Sequence, residues 1–223
     1  MIYILDNNRI LSAQYLDDLS LYRIIEDIAQ VLCNVHAWCE FHKTEGKALK
    51  DKKIPLMPKD ADNKWSQWTR ECRANYNWMV EYGLESSNEF TWRKHSSQML
   101  EPEFHKSHSV IQWARDNIPD LPINHKYEDQ CTFEDNEPTL LPLVMPKRYH
   151  NFRSKYCSGS LIIDTYRNYY HKKLKNKKCK ENCENGKITK EGIFGYFTCK
   201  VCNGHGYMRQ KWTRRQKPEW LIL

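Results

Sequence analysis

A mainly α-helical fold, with a compact helical body and a small β zinc ribbon inserted near the C-terminus, is what three features of the sequence point to. Apolar residues recur at helical spacing over long stretches. Two close cysteine pairs flank a span of hairpin length. A composition 40% hydrophobic and 13% aromatic is enough for a packed core. The 223 residues divide into a helical body over 1–176, a ribbon over 177–210 and a tail over 211–223 that packs back on the body.

The elements follow in chain order. Residues 1–5 alternate weakly and read as a short strand or an extended arm, and Asp6-Asn7-Asn8 reads as a turn. From about Leu16 to His42, Leu21, Ile24, Ile25, Ile28, Leu32, Val35 and Cys39 mark one long amphipathic helix, with Ser12 or Asp17 as its cap. The lysine-rich, proline-containing stretch from Lys47 to Asp62 is a loop. A second long helix spans about Lys64 to Lys94, with Gly83 as a point of kinking or division. Glu103 to Asn117, after Pro102 and before Pro119, reads as a shorter helix. Residues 120–146 are acidic and aperiodic and predict a long surface segment wrapped over the helices. A last helix runs from about Ser160 to Lys175, its core stripe formed by Leu161, Tyr166, Tyr169 or Tyr170, and Leu174.

The ribbon is read from Cys179, Cys183, Cys199 and Cys202. Two close pairs around two short strands, at Gly186–Thr189 and Ile193–Thr198, suit a tetrahedral zinc ion held by four thiolates. Four thiolates leave no open position for water, so the Zn2+ is expected to be structural. Cys33, His36, Cys39 and His42 form a second cluster at three-residue steps. On a helix such steps spread four side chains across half the circumference, so core packing is the expectation there.

Charge is split along the chain. From Lys147 onward 19 Lys/Arg stand against 5 Asp/Glu, whereas residues 1–146 carry 16 against 23. A basic third holding more than the whole net charge of +7 points to a polyanion, because neutralising phosphates releases counterions. Nucleic acid is the expected partner. Lys187, Lys190, Lys200, Arg209 and Lys211 of the ribbon are candidate phosphate contacts, with Arg23, Arg70 and Arg167 on the body. No apolar run is long enough to span a membrane. The opening residues lack an export signal's basic start, so the host-cell cytoplasm is the expected location.

Several separated motifs resemble a family of small proteins from phages and large DNA viruses. They include Leu5-Asp6-Asn7 with Ala13-Gln14-Tyr15; Glu26 with Ala29-Gln30, Leu32 and His36; and Trp68 and Arg70 followed by Asn75-Tyr76 and Trp78. Further on come Lys94-His95, Met145-Pro146 with Tyr149, Tyr166-Arg167-Asn168-Tyr169-Tyr170, and Trp212 with Pro218-Glu219-Trp220. The cysteine segment looks like an insertion into this pattern. A more distant resemblance connects the family to pyrimidine-dimer DNA glycosylases, in which a free N-terminal amine attacks the deoxyribose C1′ and a glutamate assists. That resemblance implies Met1 and Glu26 as the catalytic pair, Asp18 as an accompanying acid and Arg23 as a phosphate contact. Leu19 stands where those enzymes carry a histidine. A terminal amine suits the chemistry, since a reference pKa of about 7.7–8.0 leaves a neutral fraction at physiological pH.

Two functions are therefore expected, in order, beside a third, an RNA-processing factor, that fits the charge equally well. The first is a viral DNA-binding protein acting as a DNA glycosylase/AP lyase in DNA repair or processing. The alternative is a non-enzymatic regulator whose zinc ribbon docks on transcription or replication proteins.

Overall fold

The computed structural model describes residues 1–43, 54–95, 101–122, 138–146, 159–175, 187–190, 193–198 and 212–221. The chain begins as an extended arm driven into the core, with Ile2, Ile4 and Leu5 buried. Buried backbone needs partners, and side chains supply them. The Tyr82 hydroxyl donates to the Tyr3 carbonyl at 2.7 Å, and Ser12 Oγ accepts from the Leu5 N–H at 2.9 Å. Of the two readings of residues 1–5, the arm is the one observed.

Asn8 caps a short helix α1 (Arg9–Tyr15), its Oδ1 accepting from Ile10 and Leu11. The long helix expected from Leu16 starts after it, as α2 (Asp18–Lys43). Asp17 is its cap, Oδ1 accepting from the N–H groups of Leu19 and Ser20. The Tyr170 hydroxyl donates to the other carboxylate oxygen at 2.8 Å. Every apolar position singled out on this helix is buried, Leu21, Ile24, Ile25, Ile28, Leu32, Val35 and Cys39 alike.

The second long helix is two, α3 (Lys64–Glu71) and α4 (Arg73–Lys94). They part at Cys72, where the Arg73 N–H donates to the Pro122 carbonyl at 2.9 Å. Gly83 does not divide α4. A Cβ there would stand 2.8 Å from Ile28 Cγ2 and 3.1 Å from Ile111 Cδ1, so its absence lets three helices approach closely. The third of these, α5 (His108–Asp116), is shorter than its periodicity suggested. The residues before it are held by a turn in which the His108 N–H donates to the His105 carbonyl.

At the centre of the body α4 packs against α1, α2, α3 and α5, and α2 against α3 and α5 as well. Residues 138–146 lie over this layer as an irregular strap, and 123–137 of the expected acidic segment lie outside the described residues. Asn75 exchanges hydrogen bonds with Thr139, Tyr166 donates to the Pro142 carbonyl, and Lys64 to that of Leu143. Helix α6 (Gly159–Lys175) buries Tyr166, Tyr169, Tyr170 and Leu174. Leu161 is 41% exposed, and Ile162 and Ile163 take the core positions expected of it.

A two-stranded antiparallel sheet follows, β1 (Lys187–Lys190) and β2 (Ile193–Thr198). Ile188 pairs with Phe197 and Thr189 with Tyr196, and the register shifts after Thr189. The tail then returns to the body. Trp212 Nε1 donates to the Tyr15 carbonyl at 3.0 Å, and Leu221 is buried. Among the described residues no helix is long and apolar enough to cross a membrane.

Candidate functional site

The burial of the arm brings the Met1 amine to the surface of α2, where it forms an ion pair with the Asp27 carboxylate. Glu26, the expected partner, is engaged elsewhere. Its Oε1 lies 2.6 Å from Lys106 Nζ, on the segment leading into α5. Successive helical residues point about 100° apart, so neighbouring carboxylates serve two different amines. Hydrogen bonds that the Lys106 ammonium donates to Glu26 and then Tyr22 raise its pKa above the ordinary value.

The expected phosphate contacts fall into three groups. Arg23 is exposed on α2, one turn before Asp27. Arg70 and Arg167 are engaged inside the chain. Arg70 donates to the Ala61 carbonyl and to Asp62, each at 3.0 Å, with its guanidinium 4.5 Å from the Trp38 ring centre. Arg167 donates to the Leu5 carbonyl at 2.7 Å and to Asp6 at 2.9 Å, beneath the Trp220 ring. Lys187 and Lys190 occupy β1, opposite Thr198 and Ile193. Lys200, Arg209, Lys211 and the four cysteines Cys179, Cys183, Cys199 and Cys202 lie outside the described residues.

Asp18 belongs to a polar cluster that joins α1, α2, α4 and the tail. It accepts from Arg93 Nη1 at 2.9 Å and from the N–H and hydroxyl of Thr213 at 3.0 and 2.7 Å. Arg93 is buried. It also bonds Glu89 at 2.8 Å and the carbonyls of Leu16 and Gln14 at 2.9 Å, filling acceptors left open at the end of α1. Arg215 closes the cluster with two bonds to Glu89, at 2.9 and 2.7 Å. Between Thr213 and Arg215, Arg214 takes a left-handed backbone conformation with φ of 59°. The turn lets residues on either side of it address two different carboxylates. Burial pushes the Asp18 carboxyl up, but the Thr213 and Arg93 hydrogen bonds outweigh it and hold its pKa below the ordinary value.

Beside this cluster opens a cavity of about 460 Å³, lined by Asp18, Leu19, Tyr22, Phe90, Lys94 and Thr213, among others. Leu19, at the histidine position of the resemblance, is 40% exposed there. His105 packs behind two of the lining rings, 4.5 Å from Tyr22 and 5.2 Å from Phe90 between ring centres. Its Nδ1 accepts from the Ser107 N–H at 3.1 Å, so the neutral ring carries its proton on Nε2. That Nε2 is buried without a hydrogen-bond partner among the described residues, and burial lowers the ring's pKa. Next to the mouth, Trp92 is 42% exposed, with the Arg215 guanidinium 4.1 Å and that of Arg214 5.9 Å from its ring centre.

The Cys33–His36–Cys39 cluster packs in the core, all three buried. His36 Nε2 lies 2.8 Å from the Tyr76 hydroxyl and its ring 4.6 Å from that of Trp113. His42, farther along, is exposed, its ring tilted against that of Trp38 with the centres 4.0 Å apart. Among the described residues no three His, Cys, Asp or Glu side chains converge to hold a metal.

Reasoning from sequence missed Asp27, Lys106, Glu89, Arg93 and Arg215. Glu89 and Arg93 are an i, i+4 pair on α4, but their ties to Asp18 and Arg215 span distances in sequence that no local pattern records. Asp27 sits beside the residue that was chosen. The chain matches no protein-family model, no curated protein and no solved structure.

Proposed function

We propose that the chain is a nucleic-acid-binding protein, DNA foremost, that processes DNA in the manner of a glycosylase/AP lyase in a host cell infected by a phage or large DNA virus. The ion pair between the Met1 amine and Asp27 on the first long helix carries this reading, because it sets an amine and a carboxylate in hydrogen-bond contact at the protein surface. Asp27, rather than Glu26, is the carboxylate this geometry favours. An abasic sugar in its open form presents an aldehyde at C1′. The amine, its proton passed to Asp27, adds to that carbon, and loss of water leaves an imine. Removal of a C2′ proton then expels the 3′ phosphate oxygen and cuts the strand. On an intact nucleotide the same attack at C1′ displaces the base. Arg23, exposed one turn away on the same helix, is available for a neighbouring phosphate, and the basic C-terminal third supplies sequence-independent affinity.

The test is borohydride reduction of zinc-loaded protein mixed with a duplex carrying one abasic site. A covalent adduct on the Met1 peptide is expected, retained by Glu26→Gln and lost in Asp27→Asn. Absence of any adduct would sink the mechanism. Loss in Glu26→Gln with retention in Asp27→Asn would return the carboxylate's role to Glu26.

The alternative is a non-enzymatic regulator in which Cys179, Cys183, Cys199 and Cys202 hold a structural Zn2+ and the ribbon docks on transcription or replication proteins. The antiparallel pairing of β1 with β2 between the two cysteine pairs supports the ribbon, as does the fit of four thiolates to tetrahedral zinc. Capture of a polymerase subunit that depends on Cys199 and Cys202 is the expected result under this reading. Capture unaffected by deleting the ribbon would refute it.

A further inference from the structure

The cavity beside the Asp18 cluster takes no part in the amine–carboxylate chemistry, and its walls come from three parts of the chain. Helix α2 contributes Leu19, Leu21 and Tyr22 beside Asp18, α4 contributes Phe90, Arg93 and Lys94, and the tail contributes Thr213. Its volume of about 460 Å³ lies within the range of about 300–1,000 Å³ typical of small-ligand sites. The Tyr22 and Phe90 rings stand 6.0 Å apart between centres and 59° apart in plane, a corner that offers a third ring both an edge and a face. A hydrogen bond with Lys106 holds the Tyr22 hydroxyl. Charge in the lining is unequal. Asp18 is matched by Arg93, which leaves the Lys94 ammonium, exposed at the rim 5.8 Å from the Phe90 ring centre, as the surplus charge of the lining. Arg93 is 5% exposed and carries five N–H groups. Four of them bond Glu89, Asp18 and the carbonyls of Leu16 and Gln14, and the fifth, on Nη2, has no acceptor among the described residues. A buried donor of this kind is one that a ligand can satisfy.

An aromatic corner, one buried guanidinium N–H and one ammonium suit a ring that carries a single compact anion. We propose that this cavity binds a small aromatic carboxylate, its ring against Tyr22 and Phe90 and its two oxygens shared between Arg93 and Lys94. A carboxylate sets one negative charge and two oxygens against these two donors, in charge-assisted hydrogen bonds, the stronger kind. A phosphate ester brings a third oxygen and further charge that the lining does not meet. The bound molecule joins α2, α4 and the tail, so it stabilises the folded chain by mass action. The inference goes beyond the DNA-processing reading and does not depend on it.

The test is isothermal titration calorimetry of the full chain with naphthylacetate, its neutral amide and naphthyl phosphate. The acid is expected to bind saturably, about tenfold tighter than the amide, and to raise Tm as its concentration rises. Arg93 also holds the fold together, so the variants are taken from the rim. Lys94→Gln is expected to weaken the acid about threefold and to leave the amide unchanged. Leu19→Glu, at a lip position 40% exposed, sets a like charge at the mouth and is expected to abolish binding of the acid. Both variants are expected to keep the wild-type far-ultraviolet circular dichroism spectrum. Absence of saturable binding, equal affinity for acid and amide, or an affinity that neither substitution changes overturns the assignment. Tighter binding of the phosphate than of the acid overturns the choice of a carboxylate. Each of these outcomes leaves the DNA-binding reading untouched.

Discussion

Replacing Arg93 with methionine removes the one cation that, among the described residues, touches both carboxylates of the Asp18–Glu89 cluster. In the native chain its guanidinium bonds Glu89, Asp18 and the carbonyls of Leu16 and Gln14, all at 2.8–2.9 Å. Glu89 and Arg93 are both buried, so the substitution strands charge where water does not reach. Losing one partner of a buried pair costs about 3–5 kcal/mol. Here Arg215 still holds Glu89 and Thr213 still holds Asp18, which places the cost near the lower end, at about 3 kcal/mol. With a urea slope of about 2 kcal/mol per molar, the unfolding midpoint followed by far-ultraviolet circular dichroism falls by about 1.5 M. Glu89→Gln in the same background shrinks the loss, since the stranded charge is then gone. A midpoint shift below about 0.5 M, or strict additivity of the two substitutions, would refute the account of the cluster as one coupled unit.

Three other perturbations follow, two from the structure and one from the proposed zinc site. Gly83→Ala pushes a methyl against Ile28 and Ile111 at 2.8–3.2 Å and is expected to cost about 1–3 kcal/mol, seen as a lower melting temperature. The Asp18 carboxyl has a folded pKa below its ordinary value of 3.8. Its stabilisation is therefore complete above that value and is lost as pH falls through the folded one. Asp18→Asn is expected to flatten the acid side of the stability profile below about pH 5, and an unchanged acid slope in urea titrations would count against the hydrogen bonds from Thr213 and Arg93. Stripping the metal with a mercurial and a colorimetric chelator is expected to release one zinc per chain, and none from a Cys199→Ser, Cys202→Ser double variant. Release of equal metal from both would move the ligands elsewhere.

Much of the architecture could be read from residue order because its causes are local. The spacing of Ile24, Ile28, Leu32 and Val35 fixes the buried face of α2, and Asp17 starts it by bonding N–H groups two and three residues on. What escaped has distant causes. Nothing in Glu71-Cys72-Arg73 marks a break, since the carbonyl that takes the Arg73 N–H belongs to Pro122. Gly83 carries the usual mark of a helix breaker, yet its missing Cβ serves contact with Ile28 and Ile111. At the candidate site, helical rotation decided the outcome. A shift of one residue, from Glu26 to Asp27, turns a carboxylate from Lys106 toward the arm. The roles of Arg70 and Arg167 depend on Asp62, Asp6 and the Leu5 carbonyl, and a charge count cannot distinguish such engaged cations from free ones.

The arm has a further consequence for how the chain is made. Its buried residues wait on Tyr82, Arg167 and Tyr170, and α1 waits on Trp212 near the other end. The arm is therefore among the last segments to find its place, since α4 and α6 must both be present before it can dock. Contacts this far apart in sequence slow folding. Until α4 and α6 are in place, Ile2, Ile4 and Leu5 are exposed to chaperones or to one another.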